Sequence, residues 1–269
     1  MTSLPRLAAL VAVALLAAAA AFWWLGRDAA PRPPAPVAEA PPPPAPPAST
    51  PPAIRHPVEA LAAASAPAAA PATLSASLTA LLGRKAVLGF LQTDDFPRRV
   101  AATVDNLARP HAAPAVWPVN PVPGRFTVRG KGDAMVVDPD NGARYTPFIL
   151  MVESVDASQA VALYVAHYPQ FQKAYEELGY PGRYFNDRLV EVIDQLLATP
   201  TAAAAPEVVL TEIKGPVAPA RPWVRYEFAD PKLESLTAGQ KMLLRTGPVN
   251  ERRLKAKLAE FRKALTATR

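Results

Sequence analysis

The stretch Phe171–Ala198, FQKAYEELGYPGRYFNDRLVEVIDQLLA, decides the fold class because it encodes two helices with a stop between them. The first helix ends at Gly179 with Pro181 beyond it, a residue order typical of a helix C-terminus. Asn186 is predicted to cap the second helix, DRLVEVIDQLLA, at its N-terminus. The apolar face of that helix comprises Leu189, Val190, Ile193, Leu196 and Leu197.

Capping residues and apolar spacing predict further helices on both sides of this stretch. The predicted starts are Asp95 before a helix through Leu107, Asp156 with Gln159, Thr237 with Gln240, and Asn250 before the last helix. The single apolar stripe of the last helix comprises Leu254, Leu258, Phe261 and Leu265. Helices therefore dominate the predicted domain.

Strand signals are fewer and lie in two regions. Phe126–Val128 and Ala134–Val137 flank the turn GKGD and predict a hairpin. Glu207–Ile213 and Trp223–Phe228 are rich in β-branched and aromatic residues and are expected to extend that sheet. The predicted fold class is α+β, a mainly helical single domain over residues 72–269 with a small antiparallel sheet.

Residues 1–28 are predicted to form an N-terminal transmembrane anchor. Leu7–Leu25 contains 19 uncharged residues, which as a helix would span about 28 Å, close to the thickness of a bilayer core. A cleaved signal is the alternative, but Phe22-Trp23-Trp24 stands where small residues should precede cleavage. With a short N-terminal tail inside, the chain is expected to be single-pass in the inner membrane, with its C-terminal domain in the periplasm.

Residues 29–71 are predicted to be a disordered linker rich in Pro and Ala. In Pro31–Pro71, 29 of the 41 residues are Pro or Ala, too few apolar side chains to offset the entropy of ordering. Such a segment can be an extended spacer, a ligand for a proline-binding groove, or a tether whose sequence matters little.

Cysteine content and charge exclude several classes of site. The chain has no cysteine, so disulfide scaffolds, thiolate metal sites and cysteine nucleophiles are excluded. Lys241–Arg269 carries nine basic residues against two acidic ones. This segment is either a solvated helix face whose apolar stripe packs on the domain core, or a docking surface for an anionic envelope polymer, for lipid headgroups or for an envelope protein; no nucleic-acid partner is expected. Its candidate binding residues are Lys241, Arg245, Arg252, Arg253, Lys255 and Lys257.

Long segments of the chain resemble a known family. Tyr168–Pro200 and Tyr226–Leu265 are similar to two signatures of the bacterial family called domain of unknown function 3014, and AATVDNLARP and NGARYTPF are similar to shorter ones. The resemblance covers about Ser75 to Leu265. It implies a membrane-tethered bacterial domain behind a variable Pro/Ala-rich linker, and it carries no catalytic residues over to this chain.

Carboxylates supply the candidates for acid–base chemistry. Asp187, Glu191 and Asp194 lie at helical spacing on one face, where paired carboxylates can act as acid and base or simply form a solvated, salt-bridged surface. Glu153-Ser154 is similar to the Glu-Ser pair of lytic transglycosylases, but the segment that follows that pair in those enzymes is lacking here. Glu153 is otherwise interpreted as a helix-end residue.

Metal and nucleotide sites are not predicted. The turn Asp138–Gly142 departs from calcium-loop spacing because a glycine occupies a ligand position, and it is better explained as a turn before a helix. His56, His111 and His167 have no metal-ligand spacing, and Gly130–Asp133 lacks the rest of a phosphate loop. No catalytic residue, cofactor or metal is therefore assigned.

These observations lead to three functional hypotheses. The first is a membrane-anchored cell-envelope protein that acts as a non-enzymatic binding or scaffold module. The second is a tethered hydrolase of cell-wall glycan that uses a carboxylate as general acid. The third is a purely structural domain that self-associates.

Overall fold

The structure, a computed structural model, describes residues 53–62, 73–132, 135–202, 204–211 and 221–267. The predicted anchor and residues 29–52 and 63–71 of the predicted linker lie outside these ranges. Within the described ranges no single helix is both long and apolar enough to cross a bilayer. Two consecutive helices, Asn141–Ser154 and Ala157–Ala166, reach that length and hydropathy together but are bent by 78°.

The described residues form a mainly helical fold with one small sheet. The helices are α1 Val58–Ala62, α2 Leu74–Leu82, α3 Arg84–Phe90, α4 Phe96–Leu107, α5 Asn141–Ser154, α6 Ala157–Ala166, α7 Tyr168–Glu177, α8 Phe185–Leu197, α9 Pro231–Glu234, α10 Ala238–Arg245 and α11 Pro248–Leu265. The strands are β1 Val128–Arg129, β2 Met135–Val137, β3 Glu207–Leu210 and β4 Tyr226–Phe228. This architecture confirms the predicted α+β class with a mainly helical domain.

Aromatic side chains fill the main core between α4, α7 and α8. Phe185 is fully buried, and its ring lies parallel to that of Phe171 and 5.4 Å from that of Tyr175, centroid to centroid. Aromatic pairs of this kind contribute about 0.5–1.5 kcal/mol each beyond the area they bury. The last helix, α11, packs along α5, α6 and α8 and so holds the helical layer together.

The sheet is antiparallel throughout, in the order β1-β2-β3-β4. The sequence predicts the hairpin of β1 and β2 and the two later strands, β3 and β4. The buried side chains of Val137, Val208 and Phe228 pack against Leu244 of α10. The sheet is therefore joined to the helices through a small apolar core of its own.

Two of the predicted N-caps form as expected. The hydroxyl of Thr237 and the side chain of Gln240 make the reciprocal bonds of a capping box at the start of α10. The carboxylate of Asp156 accepts the backbone N–H of Gln159 at 2.8 Å at the start of α6. The hydroxyl of Ser158 is the largest cause that lowers the pKa of Asp156, and the Gln159 N–H is the next.

Three predicted caps are wrong, each for a local reason. Asp95 has left-handed backbone angles (φ 53°, ψ 38°) and makes no capping bond, because an N-cap needs extended backbone to reach the first-turn amides. Asn186 lies inside α8, which begins at Phe185. Asn250 lies inside α11, because Gly247 and Pro248 start that helix one turn earlier.

The folded domain extends further towards the N-terminus than the predicted boundary at residue 72. Val58 and Leu61 lie in the predicted linker, yet they are only 4% and 5% exposed. They contact the two apolar clusters formed by the helical layer. The sequence does not predict this contact, because Val58 and Leu61 are two isolated apolar residues in a segment rich in Pro and Ala.

Candidate functional site

The first turn of α8 binds a segment from the N-terminal part of the chain. The carboxylate of Asp187 accepts the backbone N–H of Arg55 at 3.0 Å and that of His56 at 2.8 Å. The side-chain amide of Asn186 donates to the carbonyl oxygen of His56 at 2.9 Å. Asp187 and Asn186 therefore bind main-chain groups of this segment.

Tyr184, just before α8, binds the same N-terminal segment. Its hydroxyl accepts the N–H of Val58 at 2.8 Å. The side chain of Val58 packs in the aromatic core, whereas Leu61 packs against Val190 and Ile193 of α8. We call Tyr184, Asn186, Asp187 and the apolar positions that hold Val58 and Leu61 the α8 recess.

The other two carboxylates of the predicted acidic face bind different cations. Glu191 accepts from the guanidinium of Arg188 at 3.0 Å. Asp194 accepts from the Nε and Nη2 atoms of Arg262 on α11, and this bonding raises the pKa of Arg262. The three carboxylates share a face, as the sequence predicts, but each is engaged with its own donor. The arrangement fixes neighbouring segments and does not form an acid–base pair.

A buried ionic cluster that the sequence does not predict lies beside α8. Asp105 of α4 is 5% exposed and accepts from Arg188 at 3.1 Å, from Arg109, and from the hydroxyl of Tyr180 at 3.0 Å. Burial works against the charge of Arg188, but Glu191 and Asp105 outweigh it and raise its pKa. The only sequence signal was the four-residue spacing of Asp105 and Arg109, which is common on solvated helices.

Lys241 and Arg245 lie at the outer edge of β4. The ammonium of Lys241 donates to Glu234 at 2.6 Å, and Glu234 in turn accepts the N–H of Phe228 at 2.9 Å. Arg245 donates to the carbonyl oxygen of Tyr226 at 2.8 Å. Burial lowers the pKa of Arg245, and Glu234 offsets this only in part. These side chains satisfy strand groups that would otherwise be open to pairing with another chain.

Lys255 and Lys257 of α11 bind carbonyl oxygens at the ends of other helices. Lys255 donates to the carbonyl of Thr199 after α8 and pairs at 2.8 Å with Glu251, which is 2% exposed. Lys257 donates at 3.0 Å to the carbonyl of Val155, the C-cap of α5. Cations are favoured at such helix ends, where unpaired carbonyls and the helix dipole both attract them.

The six predicted cations therefore do not form one exposed patch, which corrects that part of the prediction. Arg252 is exposed, and Arg253 lies 3.7 Å from Glu153 of α5. Lys241 and Lys257 are buried. The reason is that most of these cations meet carboxylates and carbonyls that are distant in sequence. Whether the exposed remainder of α11 binds an anionic partner stays a prediction.

The remaining sequence candidates occupy structural positions. Glu153 lies in the last turn of α5, as its helix-end interpretation predicts. Asp138 and Asp140 both bind Arg129, at 2.9 and 3.1 Å, in a turn that leads into α5, as expected. The Nε2 atom of His167 lies 2.9 Å from the hydroxyl of Ser77, so this buried histidine joins α2 to the α6–α7 junction.

The His, Asp and Glu side chains of the described residues bear on metal binding. Within those ranges, no three side chains of His, Asp or Glu gather closely enough to ligate one.

The comparisons with known proteins identify the family. No curated protein and no solved structure matches the chain. The family model described as "Protein of unknown function (DUF3014)" matches residues 96–262, more than half of the 269 residues. The match runs from the start of α4 into the last turn of α11 and includes the whole sheet. It confirms the resemblance found in the sequence, and the chain therefore belongs to the DUF3014 family.

Proposed function

We propose that this protein is a membrane-anchored module of the cell envelope that binds a partner and does not catalyse a reaction. The apolar run Leu7–Leu25 supports the anchoring, because its length and its flanking aromatic residues suit a bilayer. The periplasmic placement of the domain belongs to the same proposal.

One observation carries the choice of binding over catalysis. Each carboxylate that the sequence nominates as an acid is engaged by an internal donor, as described above for Asp187, Glu191, Asp194 and Glu153. A glycosidase needs two carboxyl groups about 5–9.5 Å apart across an open site, one of them kept protonated. Here each of these carboxylates is instead bound by an arginine or by backbone amides of the same domain.

A turnover assay with purified peptidoglycan tests this choice. We expect the full-length chain, purified in mild detergent, to release no soluble glycan fragments above a blank without protein. If fragments are released and Glu153→Gln or Asp194→Asn abolishes the release while the variant unfolds cooperatively, the hydrolase alternative replaces this proposal. A release that survives both substitutions would also overturn it and would place the chemistry elsewhere.

A labelling experiment tests the topology. Because the chain has no cysteine, Leu88→Cys introduces a single thiol at a residue that is 69% exposed. We expect a membrane-impermeant maleimide to label this variant in intact spheroplasts, and a protein with a cytoplasmic thiol to stay unlabelled. Labelling only after lysis would place the domain inside and contradict the proposal.

A further inference from the structure

The α8 recess recognises its segment mostly through the main chain. Asp187 and Tyr184 accept three amides, those of Arg55, His56 and Val58, and Asn186 donates to the carbonyl between them. The side chain of Arg55 is exposed. Main-chain recognition of this kind fixes the backbone where it enters α1 and leaves most side chains free, as in proteins that bind short peptides.

Two apolar side chains supply the specificity. Val58 and Leu61 are buried at a spacing of three, while Pro57 before the first anchor and Glu59 between the anchors remain exposed. Val58 enters the aromatic core beside Tyr184, and Leu61 enters the second cluster. The recess therefore fits a segment of the pattern Val-x-x-Leu whose preceding residues offer free amides.

The occupant is separated from the rest of the domain along the chain. Between Ala62 and Thr73 lie ten residues, and all of them are Ala, Ser or Pro. Every contact of the segment with the α8 recess is made to residues more than 100 positions away. The same contacts can thus be made by an identical segment from another chain, so exchange leaves the interface unchanged.

We propose that the α8 recess is a peptide-binding site that exchanges the chain's own segment Arg55–Leu61 for the same segment of a second copy. The partner of the proposed binding module is then another copy of this protein. This step rests on the proposed membrane anchoring, because chains held in one membrane meet at a high effective concentration. In the free chain the segment blocks its own recess.

Thiol labelling of the full-length chain tests whether the segment leaves the recess by itself. Leu61→Cys reports release of the segment, and Val190→Cys, at a residue 2% exposed in α8, reports unfolding of the core. We expect the thiol at position 61 to react at least tenfold faster than the thiol at position 190. A synthetic peptide of residues 53–62 should accelerate the first reaction further, and a scrambled peptide should not. Equal rates at the two positions, or no effect of the peptide, would overturn the proposal.

A complementation experiment tests the second copy as partner. One chain carries Asp187→Ala, which damages the recess, and the other carries Val58→Asp with Leu61→Asp, which damages the segment. Both carry a dye on Leu88→Cys. We expect energy transfer when the two variants are mixed and only background transfer within either variant alone.

The outcomes separate this inference from the proposed function. Absent energy transfer, with both variants unfolding cooperatively, would overturn a second copy as the partner even if the peptide binds. Peptidoglycan turnover would instead overturn the binding role and would leave these labelling rates unchanged. If either variant does not fold, the labelling experiment with the peptide still decides the exchange.

Discussion

The ammonium of Lys257 donates to the carbonyl oxygen of Val155 at 3.0 Å, so the last helix closes the end of a helix that lies 102 residues earlier in the chain. Lys257 is 9% exposed and is also paired with Glu260. The sequence indicates a charged surface at Lys257, but in the structure this lysine joins α11 to the end of α5. Lys255 likewise binds the carbonyl of Thr199 after α8, whereas Lys241 and Arg245 bind Glu234 and the strand carbonyl of Tyr226.

Glu234 gives a pH-dependent test of the ion pair at the edge of β4. Burial works against its charge, but the Lys241 ammonium and the Phe228 N–H outweigh burial and hold the pKa of Glu234 below its ordinary value of 4.5. The ionised carboxylate therefore stabilises the fold above about pH 4.5, and this stabilisation is lost as the pH falls through the lowered pKa.

We expect Glu234→Gln to lower the free energy of unfolding by about 2 kcal/mol at pH 6, because it leaves the buried Lys241 without its counter-ion. Urea unfolding at pH 6 and at a series of lower pH values measures the difference from wild type. The difference should shrink as the pH falls through the lowered pKa of the wild-type carboxylate. A difference that stays constant until the wild-type protein unfolds in acid would contradict the role assigned to Glu234.

Two glycines test the packing of α10 against its neighbours. A Cβ at Gly239 would lie 2.6 Å from the Cδ2 of Leu196 and 3.1 Å from the carbonyl oxygen of Leu107, whereas a Cβ at Gly89 would meet nothing within 4 Å. We expect Gly239→Ala to lower the free energy of unfolding by about 2 kcal/mol through overpacking. The control Gly89→Ala, on α3, should raise it by about 0.5 kcal/mol. Similar effects of the two substitutions in denaturant unfolding would refute the close approach at Gly239.

The buried Asp105 should dominate the stability of the α4–α8 contact. Asp105→Asn removes the charge that Arg188 and Arg109 share, and we expect a loss of about 3 kcal/mol in the free energy of unfolding. Asp94→Asn, at an exposed residue just before α4, is the matched control and should change it by less than about 0.5 kcal/mol. A small effect of Asp105→Asn would show that the cluster is solvated.

Features set by neighbouring residues could be predicted from the sequence. The capping box of Thr237 with Gln240 and the hairpin of β1 and β2 depend on residues a few positions apart, and both form as expected. Asp95 shows the limit of such reasoning, because its left-handed backbone depends on how the chain enters α4 and not on its residue type.

Features set by distant residues could not be predicted. The spacing of Asp187, Glu191 and Asp194 correctly placed them on one face of α8, but the donors to Asp187 and Asp194 come from residues 55 and 262. The basic residues of α11 likewise predict an exposed basic surface, because nothing in the neighbouring sequence distinguishes a solvated lysine from one that binds the end of another helix. Only the packing of α11 on α5 and α8 decides between the two.

The claim that the cations of α11 hold the fold is tested most directly by comparing Lys257→Met with Arg252→Met in urea unfolding of the full-length chain. Both substitutions remove one positive charge from α11, but only Lys257 donates to a helix-end carbonyl, and Arg252 is exposed. We expect Lys257→Met to lower the free energy of unfolding by about 2 kcal/mol and Arg252→Met to change it by less than about 0.5 kcal/mol. Equal and small effects would contradict the account and would return Lys257 to the charged surface that the sequence suggests.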